Sequence, residues 1–218
     1  MSAYHCFMTG RFITFEGGEG SGKSTQARLL ATYLRSRGIA VVETREPGGS
    51  PFAEALRNFI LDPATPPHAP LSEALLFTAA RADHLDATIR PALARSDWVI
   101  CDRFTDSTRV YQGAAGGLAD AALATLESLV VGDTRPDLTV LMDLDAATGL
   151  ARARERAGGA PPDGYEARGL AYHDLLRKAF LARATAEPSR IAVIDAARPI
   201  DLIADGIRSL VATRFGPA

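Results

Sequence analysis

One stretch constrains this chain more than any other: Phe15-Glu16-Gly17-Gly18-Glu19-Gly20-Ser21-Gly22-Lys23-Ser24-Thr25. It fits the pattern Gly, four residues, Gly-Lys-Ser/Thr, with Gly17, Gly22, Lys23 and Ser24 at the fixed positions. Glycines at 17, 18, 20 and 22 let the backbone form a concave nest whose N–H groups point inward at an anion. A helix beginning near Lys23 would add the positive end of its dipole. Lys23 supplies a point charge for outer phosphates, and the Ser24 hydroxyl can bind a Mg²⁺ ion held by those phosphates. A Gly-rich turn could match by chance, but the context is right. Arg11 to Phe15 reads as an apolar strand entering the loop, and Ala27, Leu30 and Leu34 recur beyond it at helical spacing.

With 218 residues, the chain suits one domain spanning 1–218, long enough for a sizeable core. Its net charge of −2 gives no support to a nucleic-acid or membrane-binding face, so phosphate recognition must be local. Neither Cys6 nor Cys101 has metal-ligand spacing; Cys101 lies in an apolar run and is expected to be a buried thiol. A reducing, cytoplasmic setting is the expectation. Residues 1–8 lack a signal-peptide core, and no stretch approaches membrane-spanning length.

Strands are expected at 40–44, 97–101, 137–143 and 190–195, in addition to 11–15. Helical patterns separate them, over 53–61 with Ser50 as N-cap, 71–95, 118–131, 147–156 and 170–186. A closing helix places Ile200, Ile203, Ile207, Leu210 and Val211 on one face. The segment 62–70 is a proline-rich loop, and Gly158 to Gly164 breaks regular structure. Alternating elements of this kind predict an α/β fold: a parallel five-stranded sheet with helices on both faces. Ligands then gather beyond the carboxyl ends of the strands. There lie the phosphate loop, Arg45-Glu46-Pro47-Gly48-Gly49 and Asp102-Arg103-Phe104.

A phosphate loop alone does not choose among switch GTPases, motor ATPases, nucleoside kinases and nucleotide kinases. No guanine-reading Asn-Lys-x-Asp segment is present, and the strand 137–143 lacks the acidic pair of a motor ATPase. The remaining motifs resemble bacterial thymidylate kinases along nearly the whole chain. Besides 15–25, the matching stretches are Thr44 to Gly49, Leu76-Phe-Thr-Ala-Ala-Arg81, Asp102-Arg103-Phe104 and Ser107 to Gly113. Arg135 to Thr139 and Arg152-Ala-Arg-Glu-Arg156 complete the set.

That resemblance implies transfer of the ATP γ-phosphoryl group to dTMP, giving dTDP and ADP with Mg²⁺, in a homodimer. Its partners are small molecules, with neither nucleic acid nor membrane involved. The chemistry is consistent. A phosphate monoester with a second pKa near 6 is mostly dianionic at neutral pH and needs no general base. It needs charge cancellation and in-line positioning, which arginines, a lysine and a metal supply. His5, His68, His84 and His173 fall outside the motifs and are expected to be surface or structural residues.

By resemblance, Gly17, Gly18, Glu19, Gly20, Ser21, Gly22, Lys23, Ser24 and Thr25 hold ATP, with Ser24 and Asp102 on the metal. Arg103 holds the acceptor phosphate, and Arg57 reaches it. Phe77 stacks on thymine while Arg81, four residues on and a donor only, reads O4. Thr108 contacts the base, Gln112 lines its pocket and Tyr111 crowds the sugar 2′ side. Glu19 accepts from the 3′-OH, and Glu46 shapes the acceptor pocket. No basic residue occupies the variable loop positions 18–21, so transition-state charge must be met from a lid at about 152–170. Arg156, beside Gly158-Gly159, is the choice over Arg152 and Arg154; catalysis would then rest on Lys23, Arg103 and Arg156. Many relatives carry Asp-Arg-x-Glu in the lid, whereas this chain has Asp163-Gly164-Tyr165-Glu166. The competing readings are a deoxynucleoside kinase with Glu16 or Glu46 as base, and a nucleotide-dependent binding protein without transfer activity.

Overall fold

The computed structural model describes residues 10–158 and 164–216. Cys6 and the stretch from Gly159 to Asp163 therefore lie outside the described residues. Strand β1 (Phe12–Gly17) is buried along its whole length, as a central strand must be. It feeds the loop 18–22 and helix α1 (Lys23–Ser36). Then come β2 (Val41–Arg45), α2 (Pro51–Leu61) and α3 (Pro70–His84). A π-helical turn, Leu85–Ile89, continues α3 into α4 (Arg90–Ala94), before β3 (Trp98–Asp102). Next is a short helix, α5 (Thr105–Thr108), extended by a second π turn, Arg109–Ala114. Helix α6 (Asp120–Val130), β4 (Leu138–Asp143), α7 (Ala146–Ala157), α8 (Leu170–Ala186), β5 (Ile191–Asp195) and α9 (Ile200–Phe215) complete the chain.

All strand pairs are parallel, in the spatial order β2-β3-β1-β4-β5. The strand period of two splits β1 between two cores. Ile13 and Phe15 meet Leu30 and Leu34 of α1 and Ile207 and Val211 of α9. On the other face, Phe12 packs with Leu85, Ile89 and Phe104, while Leu141 packs with Leu176 and Phe180 of α8. Each such fully buried Phe, Leu or Ile contributes roughly 1.5–3 kcal/mol by leaving water. Cys101 is fully buried as expected.

One expectation needs correction. Ile200 does not join the apolar stripe of α9; it is 57% exposed at the first turn, and Phe215 extends the stripe at the other end. The run 105–114 is helical, although Thr105-Asp-Ser-Thr-Arg109 has no apolar periodicity. Ser50 caps α2 through Ala53 N–H, as the sequence suggests. Among the described residues no helix is long and apolar enough to cross a membrane.

Candidate active site

The loop after β1 is a backbone device. Gly17, Gly20 and Gly22 all hold positive φ, at 138°, 65° and 87°. At Gly20 a Cβ would lie 2.0 Å from the Gly149 carbonyl, so the loop packs directly on the backbone of α7. Gly22 precedes α1 without any side-chain cap, which leaves first-turn N–H groups directed at the loop's concavity. Ser21 Oγ donates to Gly18 O at 2.9 Å, and Gly18 O also accepts from Lys23 Nζ at 2.6 Å. By its charge alone, Lys23 reads as an exposed residue. Instead it is 6% exposed, and burial, then Arg103, lower its pKa to about 8. Thr25 also lines the cleft.

Around this loop gather Ser24, Asp102, Arg45, Arg57, Arg103 and, from the end of α7, Arg156. Burial and then Arg45 depress the Arg57 pKa as well. Cations that weaken one another in this way suit an anion of high charge, whose arrival reverses the effect. Ser24 donates to Asp102 Oδ2. The other oxygen of Asp102, Oδ1, is buried and has no hydrogen-bond partner. Arg156 is 66% exposed on its side chain, with Glu166 3.5 Å away.

A second cleft, roughly 670 Å³ with its open mouth, adjoins the first and shares Glu19, Glu46, Arg57 and Arg103 with it. The structure places Phe77, Arg81, Thr108, Tyr111 and Gln112 around its walls, together with Pro47, Phe104 and Tyr165. Arg81 is 5% exposed; its Nε donates to Glu46 Oε2 at 2.7 Å and its NH2 to Thr108 Oγ1 at 3.0 Å. Glu46 also binds His84 Nδ1 at 3.0 Å, and His84 Nε2 lies 2.7 Å from Thr44 Oγ1. His84 is thus a satisfied structural residue. Arg57 donates to Pro47 O at 2.8 Å.

Arg103 joins the two clefts. It follows β3 with φ 70°, a left-handed backbone that costs a non-glycine residue about 1–3 kcal/mol. Its N–H donates to Phe15 O at 2.9 Å, and its guanidinium to Gly17 O and Ser107 Oγ, each at 3.2 Å. It also pairs with Glu19 and lies 5.3 Å from the Tyr111 ring centroid. Burial alone would raise the Glu19 pKa. Arg103, then Lys23, and the Tyr111 hydroxyl donating at 3.2 Å hold it down at about 2.

Sequence reasoning did not find the structural roles of Glu16, Ser107, Glu73 or Tyr165. Glu16 is fully buried, accepting from Phe104 N at 2.8 Å, Ser107 N at 3.2 Å and Ser107 Oγ at 2.6 Å. It fixes the start of α5 and, through Ser107, the Arg103 guanidinium. Burial and then Asp106 push its pKa up to about 7, against the hydrogen bonds and Arg103. The folded protein then binds more protons than the unfolded one between pH 4.5 and 7, so this group makes stability fall as pH rises through that window. Denaturant unfolding at pH 5 and 7.5 should show Glu16→Gln losing less stability than wild type across the interval, by on the order of 2 kcal/mol. Parallel pH dependences would refute the shift.

A phosphate loop after the central strand of a parallel sheet, beside a second cleft sharing its arginine, defines a P-loop nucleotide kinase. Comparison with known proteins narrows the class. The family model described as thymidylate kinase matches residues 15–207. A Pseudomonas fluorescens protein named thymidylate kinase is 53% identical over 206 residues, covering 94% of this chain and 97% of its own. One from Nitrobacter winogradskyi is 49% identical over 195 residues, 89% of this chain and 85% of its own. The crystal structure of thymidylate kinase from Ehrlichia chaffeensis superposes with a TM-score of 0.75 at 34% identity, over 93% of this chain and 99% of that one. The chain belongs to the thymidylate kinase family.

Proposed function

We propose that this chain transfers the γ-phosphoryl group of ATP to dTMP, giving dTDP and ADP. Family membership supports the activity, and one observation carries the assignment of sites: two clefts meet at Arg103 and Glu19. In this reading the cleft of Gly17–Thr25 takes the ATP phosphates. The other takes dTMP, with its phosphate at Arg103 and Arg57 and its base between Phe77, Arg81, Thr108 and Gln112. Tyr111 stands against the sugar, and Glu46 holds Arg81. The whole chain acts as one domain, with a lid over about 152–170.

Mg²⁺ accompanies ATP in this proposal, held by Ser24 and Asp102. The buried, unpartnered Oδ1 of Asp102 supports it. No cluster of three or more His, Cys, Asp or Glu ligands occurs among the described residues, so phosphates and water would complete the shell. When bound, the ion would neutralise charge on the ATP phosphates. We further propose a cytoplasmic homodimer. Exposed Phe52 and Phe59 of α2 and Leu71 and Leu75 of α3 favour a covered face. Sedimentation showing a monomer at micromolar concentration would remove that part.

The nucleoside-kinase reading is not favoured, because both candidate bases are occupied. Glu16 is bound to α5, and Glu46 to Arg81 and His84. ADP release should be measured with a panel of nucleoside monophosphates and thymidine. dTMP should be used best and thymidine not at all. dUMP should trail by about 10- to 100-fold, since a methyl group is read with roughly 1–3 kcal/mol.

Arg81→Ala should weaken dTMP binding at least about tenfold while ATP affinity stays nearly unchanged. It should also cost about 3 kcal/mol of stability, because Glu46 loses its buried partner. Equal losses for both nucleotides, measured by equilibrium binding, would make Arg81 purely structural.

A further inference from the structure

We propose that Glu73 is a positioning residue that latches the segment 164–169 onto the acceptor-base pocket. The proposal rests on the dTMP reading above. Glu73, in the first turn of α3, does not line the cleft itself. Its Oε2 accepts from Gln112 Nε2 at 3.1 Å and its Oε1 from the Tyr165 hydroxyl at 2.6 Å. One carboxylate thus joins a buried wall residue of the base pocket to a residue just beyond α7.

Two consequences follow from elementary chemistry. A carboxylate only accepts, so the Gln112 amide nitrogen must face Glu73, and a flipped amide would set oxygen against oxygen. The amide oxygen is then the Gln112 atom left to meet a donor, which is what the ring N3–H of thymine is. The second consequence concerns Tyr165. Its ring stands edge-on to Tyr111, 5.5 Å between centroids, and Tyr111 lies against Arg103. The aromatic pair is geometrically favourable but weakly directional; the hydroxyl on Glu73 fixes its register. Burial, then the Glu73 bond, raise the Tyr165 pKa, so the phenol stays a donor at neutral pH. Tyr165, beside Gly164, makes a contact that ties this segment to α3.

The test compares Glu73→Ala, Tyr165→Phe, their combination and Glu73→Gln. Loss of a charge-assisted hydrogen bond should raise KM for dTMP about tenfold in Glu73→Ala, with KM for ATP within about twofold of wild type. Tyr165→Phe should show part of that effect. The double variant should be no worse than Glu73→Ala alone, as expected of residues acting through one contact. Glu73→Gln can still accept from Tyr165 but turns an amide NH2 toward Gln112 and reverses that amide, so it should keep the raised KM for dTMP while retaining the tie to the segment 164–169. Independently of turnover, dTMP should slow tryptic cleavage after exposed Arg168 in wild type but not in Glu73→Ala. Unchanged KM and undiminished protection in Glu73→Ala, or additive effects of the two substitutions, would overturn the latch. A wild-type protein that dTMP neither protects nor serves as acceptor would instead overturn the functional reading, since that outcome appears before any substitution is made.

Discussion

Lys23→Ala is expected to leave a folded protein whose phosphoryl transfer is slower by at least about 10²-fold, the loss seen when one preorganised charge donor is removed. The ammonium reaches Gly18 O and, at 3.4 Å, Ser21 Oγ, inside the loop that would hold the ATP phosphates. Its burial costs the folded state solvation, in line with the depressed pKa, so truncation relieves one penalty while removing the hydrogen bonds to Gly18 and Ser21. Stability should therefore change little while turnover collapses. Thermal unfolding and initial rates on the same preparation check both halves. Turnover near that of wild type would contradict the assignment of the loop.

The second large effect is expected at Arg156. Arg156→Ala should lower kcat by on the order of 10³-fold, as losing an arginine finger does, with KM for dTMP changing little. The side chain lies at the phosphate cleft yet remains two-thirds exposed, against Glu166 at 3.5 Å. A surface pair of that kind contributes little to stability, so it does not oppose movement toward developing charge. Arg152 is a poorer candidate than its spacing suggests, because its NH1 donates to Ala196 O at 3.1 Å. A loss confined to KM would mean ground-state binding. A kcat defect in Arg154→Ala but not Arg156→Ala would keep the lid and move the residue.

Much of the fold was legible because its information is local. Buried parallel strands read as apolar runs, and the glycines of the loop announce themselves by spacing. The pair Phe77 and Arg81 was legible as one helix face, and the structure sets both on the same cleft. What escaped is long-range and polar. Helix α5 has no apolar stripe; its start is tied by a Glu16 carboxylate 88 residues away, which no window of sequence contains. The buried pairing of Asp106 with Arg183 and Arg190, from α8 and the segment before β5, is hidden for the same reason. The burial of Lys23 escapes the sequence because charge suggests exposure, whereas a phosphate loop wraps its own lysine. Ile200 was misjudged because a helical stripe does not say where the first turn meets the sheet.

If the two clefts joined at Arg103 work as proposed, they carry out one transfer, from ATP to a nucleoside monophosphate. Single-turnover reaction of γ-³²P-labelled ATP with dTMP tests it most directly. Label should appear in the β-phosphoryl group of dTDP, one for each ADP formed. Label released as inorganic phosphate with dTMP unchanged, or transferred to thymidine instead, would contradict it.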